Sequence, residues 1–335
     1  HHDTIDRHHT SEGYMPQNRT LVRDQRETED TTKNHAWTRA LSVHALDEWR
    51  FTKRFFLSYG TRLEVLQGAL TNKLSQTRGE NEQVVALPGA GVFYQHNKAL
   101  GFLAGIYRGF SPVAPGQSPD VKPEESINVE AGLRFREPGK ELELIGFSNA
   151  YSNMLGQCTQ SKGCPNDLLD AQFNGGAVDV YGAETAAKIS GAWRRLRWEV
   201  KGTYTFTGSA FRTSFNSASS LFGEVEAGDA LPYVPVHQAK LGLRLRVKPV
   251  TLDLSGSYFG SMRDAAGQGE IDPITGIPAH QLLDATLRWR YNKQVTLRLS
   301  GRNLLDTPYL ASVRPYGARS GSPRQLLIGL DLGSQ

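Results

Sequence analysis

Between Arg195 and Thr207 the chain alternates with a period of two. Leu196, Trp198, Val200, Gly202, Tyr204 and Phe206 are interleaved with Arg195, Arg197, Glu199, Lys201, Thr203 and Thr205. Side chains on a strand point to opposite faces in turn, so this segment makes a strand with one apolar and one charged face. Two folds accommodate such a strand. A soluble sheet covers its apolar face with a second layer, whereas a membrane barrel turns that face to lipid and keeps the charges in its lumen.

Composition bears on the choice. The 335 residues are 39% hydrophobic, with a mean hydropathy of −0.44. No run approaches the roughly 18 apolar residues of a spanning helix. That excludes an α-helical membrane protein and leaves a barrel open, since only alternate residues of a barrel strand meet lipid. The net charge is +4, and Lys and Arg are dispersed through the strands, which argues against a nucleic-acid partner. The chain begins His1-His2-Asp3, with no initiator methionine and no basic segment leading into an apolar one. The expectation is that the N-terminal part of a longer protein is missing.

Alternation restarts along the chain and predicts strands over 36–47, 55–74, 84–96, 100–109, 126–136, 141–153, 177–190, 195–211, 236–247, 251–262, 281–291, 295–304 and 325–332. With a remnant in the first few residues, that makes about thirteen or fourteen. Tight joints are expected at 48–53, 97–98, 137–140, 192–194, 248–250 and 292–294. Long joints rich in Gly, Pro, Ser and Asn are expected at 9–34, 75–83, 110–125, 156–176, 212–235, 267–280 and 312–324. Strict short–long alternation is the signature of an up-and-down barrel with short periplasmic turns and long external loops. Trp49, Trp193, Trp289 and Tyr291 lie beside the tight turns, where an interfacial aromatic girdle sits. The fold class is therefore all-β, an antiparallel transmembrane β-barrel.

Several segments carry a family resemblance. Gly301-Arg302-Asn303-Leu304-Leu305-Asp306-Thr307-Pro308-Tyr309 resembles the N-L-F-D-x-x-Y signature near the end of TonB-dependent outer-membrane receptors. The segment from Arg314 to Gly321-Ser322-Pro323-Arg324 resembles the family's last loop, with its G-x-P-R lead into the final strand. Arg108-Gly109-Phe110-Ser111-Pro112 resembles R-G-F-x-P, and residues 124–134 resemble the strand that follows it. Phe173-Asn174-Gly175-Gly176 with Val180 to Glu184, and Leu231-Pro232-Tyr233-Val234-Pro235-Val236-His237, complete the series in family order. The pattern is similar to ferric dicitrate-type receptors at Arg7-His8-His9-Thr10, Gly13-Tyr14 and Ala265-Ala266-Gly267-Gln268-Gly269.

The resemblance implies a barrel of about 22 strands with a plugged lumen, of which residues 1–335 supply the C-terminal part. It also implies an outer-membrane location and import of a ferric chelate, ferric citrate or a siderophore. Import would be energised by a TonB complex acting through a plug and TonB box outside this sequence. Family members end in an aromatic residue, whereas Ser334 falls at that phase here. An open sheet of this size exposes two edges to lipid, so the chain is not expected to form the full closed barrel alone.

Substrate contacts belong at the long-loop end, where Arg108, Arg212, Arg263, Gln268, Arg314, Tyr316 and Arg319 are the candidates. An arginine fork recognises the carboxylates of anionic chelates. Inward arginines gather near the tight turns at Arg134, Arg136, Arg195, Arg197, Arg244 and Arg246, and again at Arg288, Arg290, Arg298 and Arg302. They would dock a plug or pair within the wall with Glu130, Glu143, Glu199 and Asp284. Cys158 and Cys164 share one long loop and allow a single pairing, so a disulfide is expected in an oxidising compartment. His1, His2, His8 and His9 sit at a ragged strand end, and neither a metal site nor a cofactor is expected. No G-x-S-x-G, H-E-x-x-H or clustered acid–base pair argues for an enzyme. The alternatives are a passive diffusion channel of about fourteen strands and an outer-membrane hydrolase or adhesin.

Overall fold

A computed structural model of the protein describes residues 2–11, 14–17, 20–23, 29–158, 164, 171–219, 221–314 and 317–333. Fourteen strands form one antiparallel sheet in which chain neighbours are sheet neighbours. They are β1 (His2–Ser11), β2 (Glu29–Arg50), β3 (Phe55–Asn72), β4 (Thr77–Gln95), β5 (Leu100–Ser111), β6 (Glu124–Glu137) and β7 (Lys140–Ser152). The meander continues with β8 (Val178–Trp193), β9 (Leu196–Phe211), β10 (His237–Val247), β11 (Val250–Phe259), β12 (His280–Arg290), β13 (Val295–Arg302) and β14 (Gln325–Leu332). β1 and β14 are the two edges, and no pairing joins them among the described residues. Among the described residues, no helix is long and apolar enough to cross a membrane.

Register shows why the pattern folds this way. Trp198, Leu245, Leu252, Leu287, Leu299 and Ile328 stand directly opposite one another across six strands. One residue further along β9, the opposed series is Glu199, Arg244, Asp253, Thr286 and Ser300. A one-residue slip would exchange the two faces, so the alternation fixes the register. Nothing covers the apolar face: Leu241 is 60% exposed, Leu299 48% and Ile328 87%. A soluble sandwich would bury these residues against a second sheet. Their exposure fits a lipid-facing band, and the alternate residues form the inner face.

The tight joints have local causes. Asn97 Oδ1 accepts from the backbone N–H groups of Ala99 and Leu100, and Asn292 Oδ1 from those of Gln294 and Val295. Thr52 Oγ1 accepts from Arg54 and Phe55 in the same way. Such side chains satisfy the backbone where the ladder ends. Gly139 at φ +77° makes the two-residue turn between β6 and β7. The aromatic girdle is in place, with the guanidinium of Arg194 5.4 Å from the Trp193 ring centre.

Two joints differ from expectation. Residues 75–83 are not a long loop, because β3 runs to Asn72 and β4 starts at Thr77. Asn72 Oδ1 closes the turn by accepting from Leu74 and Ser75. The joint expected at 9–34 is long but shorter, spanning 12–28, since β1 reaches Ser11 and β2 starts at Glu29, and within it Tyr14–Gln17 pairs with Thr20–Arg23. Polar composition reads as loop, yet polar side chains flank a paired ladder wherever neither face needs to be apolar. At 22, 18 and 19 residues, β2–β4 exceed the roughly 9–11 residues that cross a bilayer, so their long-joint ends project beyond it.

Candidate functional site

The long-joint end carries the densest packing among the described residues. Val178, Phe211 and Val225 are almost fully buried, and Tyr151, Met154, Phe215, Phe222 and Leu231 pack around them. Val178 ends β8 and Phe211 ends β9 on the inner face, so the loops fold inward over the sheet. The segment 153–177 is tied across at its root, where Asn174 Nδ2 donates to the carbonyls of Lys122 and Asn153. Cys158 and Cys164 are bonded, with their Cα atoms 5.5 Å apart.

Three long loops, at 212–236, 260–279 and 303–324, are braced against each other by candidate residues. Arg263 donates from its guanidinium to the carbonyls of Gly269 and Glu270. Gln268 Nε2 donates to Ala227 O at 3.2 Å. Arg314 donates from Nε to Asp264 O at 3.2 Å, and its Nη2 pairs with Asp264 Oδ2 at 3.0 Å. Tyr233 links the first and third loops through a hydrogen bond with Ser312 Oγ at 3.4 Å, and Arg319 pairs with Ser312 in a short ladder. Gln268 and Arg314 therefore bridge neighbouring loops, while Arg263 and Arg319 are held within the same two loops.

Arg108 and Arg212 are elsewhere. Arg108 opposes Ile127 on the outward face and pairs with Glu125 at 2.7 Å. Arg212 reaches outward-facing Asp179 at 3.3 Å and donates to Tyr151 O at 3.0 Å. Both sit where the apolar band ends, and each is neutralised by a carboxylate. Tyr316 lies outside the described residues.

The signature around Asn303 proves to be a structural clip. Asn303 is 4% exposed and sits at φ +46°, a conformation asparagine tolerates better than most residues. Its Nδ2 donates to the carbonyls of Thr307 and Ser322, and its Oδ1 accepts from Thr307 N. Asp306 accepts from the backbone and guanidinium of Arg324. Gly321 lies under Tyr309, where a Cβ would come within 1.9 Å of the ring. These contacts tie the start of the last loop to its end.

The inner face divides into two sectors. On β9–β13 it is cationic, and along the whole wall part of the inward charge is balanced by neighbouring carboxylates. Arg134 pairs with Glu143 at 2.5 Å and Arg298 with Asp331 at 3.6 Å, while Asp253 takes both Arg244 and Arg288. Sequence reasoning named Glu143 but passed over Asp253 and Asp331, which the inner phase of β11 and β14 would have identified. Glu199 pairs instead with Lys201, and Asp284 accepts from Asn303 N. On β2–β5 the inner face mixes apolar and charged residues around a concavity of about 930 Å³, where Leu46, Phe56, Leu87 and Phe93 stand beside Glu48, Arg50 and Arg62.

At the projecting end of β1 and β2, histidines meet carboxylates. His35 Nδ1 lies 2.9 Å from Asp6 Oδ1, and His8 Nε2 lies 2.8 Å from Asp30 Oδ1. The His35 hydrogen bond holds the Asp6 carboxyl below its ordinary range, and the His8 hydrogen bond does the same for Asp30.

Comparison with known proteins agrees with this architecture. The family described as TonB dependent receptor-like, beta-barrel matches residues 3–304. The catecholate siderophore receptor Fiu of Escherichia coli K12 is 26% identical over 218 residues, a match covering 62% of this chain and 26% of that receptor. The siderophore receptor PiuA from Acinetobacter baumannii superposes with a TM-score of 0.73 at 18% identity, over 91% of this chain and 44% of its own. The ferric citrate transporter FecA superposes at 0.71 and 20% identity, over 93% of this chain and 47% of its own. The chain thus spans less than half the length of these proteins. It belongs to the TonB-dependent receptor family of outer-membrane β-barrel proteins, of whose barrel it forms a part.

Proposed function

We propose that this chain supplies barrel wall and external loops to a receptor that imports a ferric chelate, either ferric citrate or a siderophore complex, with energy delivered through TonB. The supporting observation is the bridging of the long loops by Gln268 and Arg314, with Arg263 and Arg319 in the same two loops, all at the long-joint end of the wall. Donors of this kind hold the carboxylate or catecholate oxygens of such chelates. Three of them now serve loop carbonyls or Asp264. A chelate that took over these donors would loosen the loop braces, coupling binding to loop rearrangement. In this reading Tyr316 joins the same zone, and contact with TonB is made by a plug outside this sequence.

The test is uptake of radiolabelled ferric chelates by iron-starved cells with the gene deleted and restored. The expected result is restored uptake of one chelate class, abolished by loss of TonB. Unchanged uptake of every chelate would count against the proposal. A steady conductance in planar bilayers, independent of TonB, would favour a passive channel of about fourteen strands.

A further inference from the structure

Near the tight turns, the inner wall runs out of carboxylates before it runs out of arginines. Arg197 on β9 stands directly opposite Arg246 on β10. Directly opposed side chains on one face have Cβ atoms about 4.5–5.5 Å apart, and like charges there are unfavourable. The neighbouring acids are committed: Asp253 to Arg244 and Arg288, Asp331 to Arg298, and Glu199 to Lys201. Among the described residues, no ion pair engages Arg197 or Arg246. Together with Arg244, Ser190 and Glu199, the last paired with Lys201, they line a recess of about 320 Å³ on the inner face. Three arginines against the single carboxylate of Glu199 leave the recess with a net positive charge, and the Arg197–Arg246 pair is held in register by the sheet.

We infer that this recess is an oxyanion site, taking a carboxylate or phosphate group between the guanidiniums of Arg197 and Arg246. The two planar forks suit bidentate oxygens, which a pair of lysines would hold only as point charges. The recess admits one or two such groups rather than a bulky solute. Its oxygens come either from a free anion in the lumen or from an Asp or Glu side chain of a polypeptide lodged there. The site is independent of the loop zone and goes beyond the import reading, since it lies at the opposite end of the wall.

The experiment uses the protein extracted from outer membranes in mild detergent. Thermal unfolding is followed in inorganic phosphate and in chloride at equal ionic strength, for the unaltered protein, Arg197→Gln, Arg246→Gln and the control Arg302→Gln. A free-anion site predicts a midpoint raised by on the order of 2 °C in phosphate over chloride. That increment is lost in the first two variants and kept in the third. Arg197→Gln should also unfold at a higher temperature than the unaltered protein in chloride, because it removes like-charge repulsion; a purely structural arginine would give the opposite sign. If the oxygens come from a polypeptide, phosphate has no effect. Carbodiimide treatment of Arg197→Lys then joins the new amine to an acidic side chain from outside the strands of this wall, as identified by peptide mapping; a link to Glu199 alone counts against the site. Absence of both the phosphate increment and the coupled carboxylate overturns the site.

Discussion

Asn303 concentrates three hydrogen bonds in one buried side chain at positive φ. Asn303→Ala leaves Thr307 N–H and two carbonyls without partners and should cost about 2–4 kcal/mol, read as a lower unfolding midpoint in detergent. Asn303→Asp keeps the acceptor and loses the donor, and should fall between. Asp30 makes a pH-dependent contact: its carboxyl is lowered by the His8 hydrogen bond. A lowered carboxylate contributes stability that is present above its ordinary range and lost as pH falls through the lowered value. Amide protection factors in β1, taken relative to intrinsic exchange at each pH, should therefore fall on acidification, and Asp30→Asn should flatten that response. At this scale the sequence was only partly legible. The Asn303 motif was recognisable as a string, but its role as a clip depends on Ser322 and Arg324, some twenty residues away. The distribution of Arg108 and Arg212 to the outward face was readable from phase, since Arg108 follows Phe102, Ala104 and Ile106 at steps of two.

Individual strands were the most legible elements, because alternation sets both existence and facing. β9–β13 match their expected spans closely, and turn residues such as Asn97, Gly139 and Asn292 mark the tight joints. β2 and β4 run beyond their expected spans because outside the lipid band neither face has to be apolar, so the period fades while the ladder continues. Facing makes a direct prediction. Leu243→Arg or Leu287→Arg places a charge in the lipid band and should cost about 2–4 kcal/mol near the bilayer midplane, whereas Thr286→Arg on the inner face should cost about 0–1 kcal/mol. Folding yield into lipid vesicles against urea separates the two, and equal losses at both kinds of position would contradict the assigned faces.

The whole molecule is a sheet with a lipid face, an inner face whose β9–β13 sector is cationic, and a loop cap at one end. Its shape as an open sheet follows from β1 and β14 having no mutual pairing among the described residues. Leu326, Ile328, Leu330 and Leu332 leave the β14 edge strongly apolar, so the purified chain should aggregate when detergent is withdrawn. The loop cap was the least legible part, since its core of Val178, Phe211 and Val225 joins residues from three separate segments and leaves no local period. The central claim is that one side of the wall meets acyl chains and the other meets water. Spin labels placed singly along residues 197–205 of β9 in bilayers test it most directly. The account predicts collisions with dissolved oxygen peaking at 198, 200, 202 and 204, and collisions with a water-soluble nickel chelate peaking at 197, 199, 201, 203 and 205. A profile without alternation, or with the two phases exchanged, would contradict it.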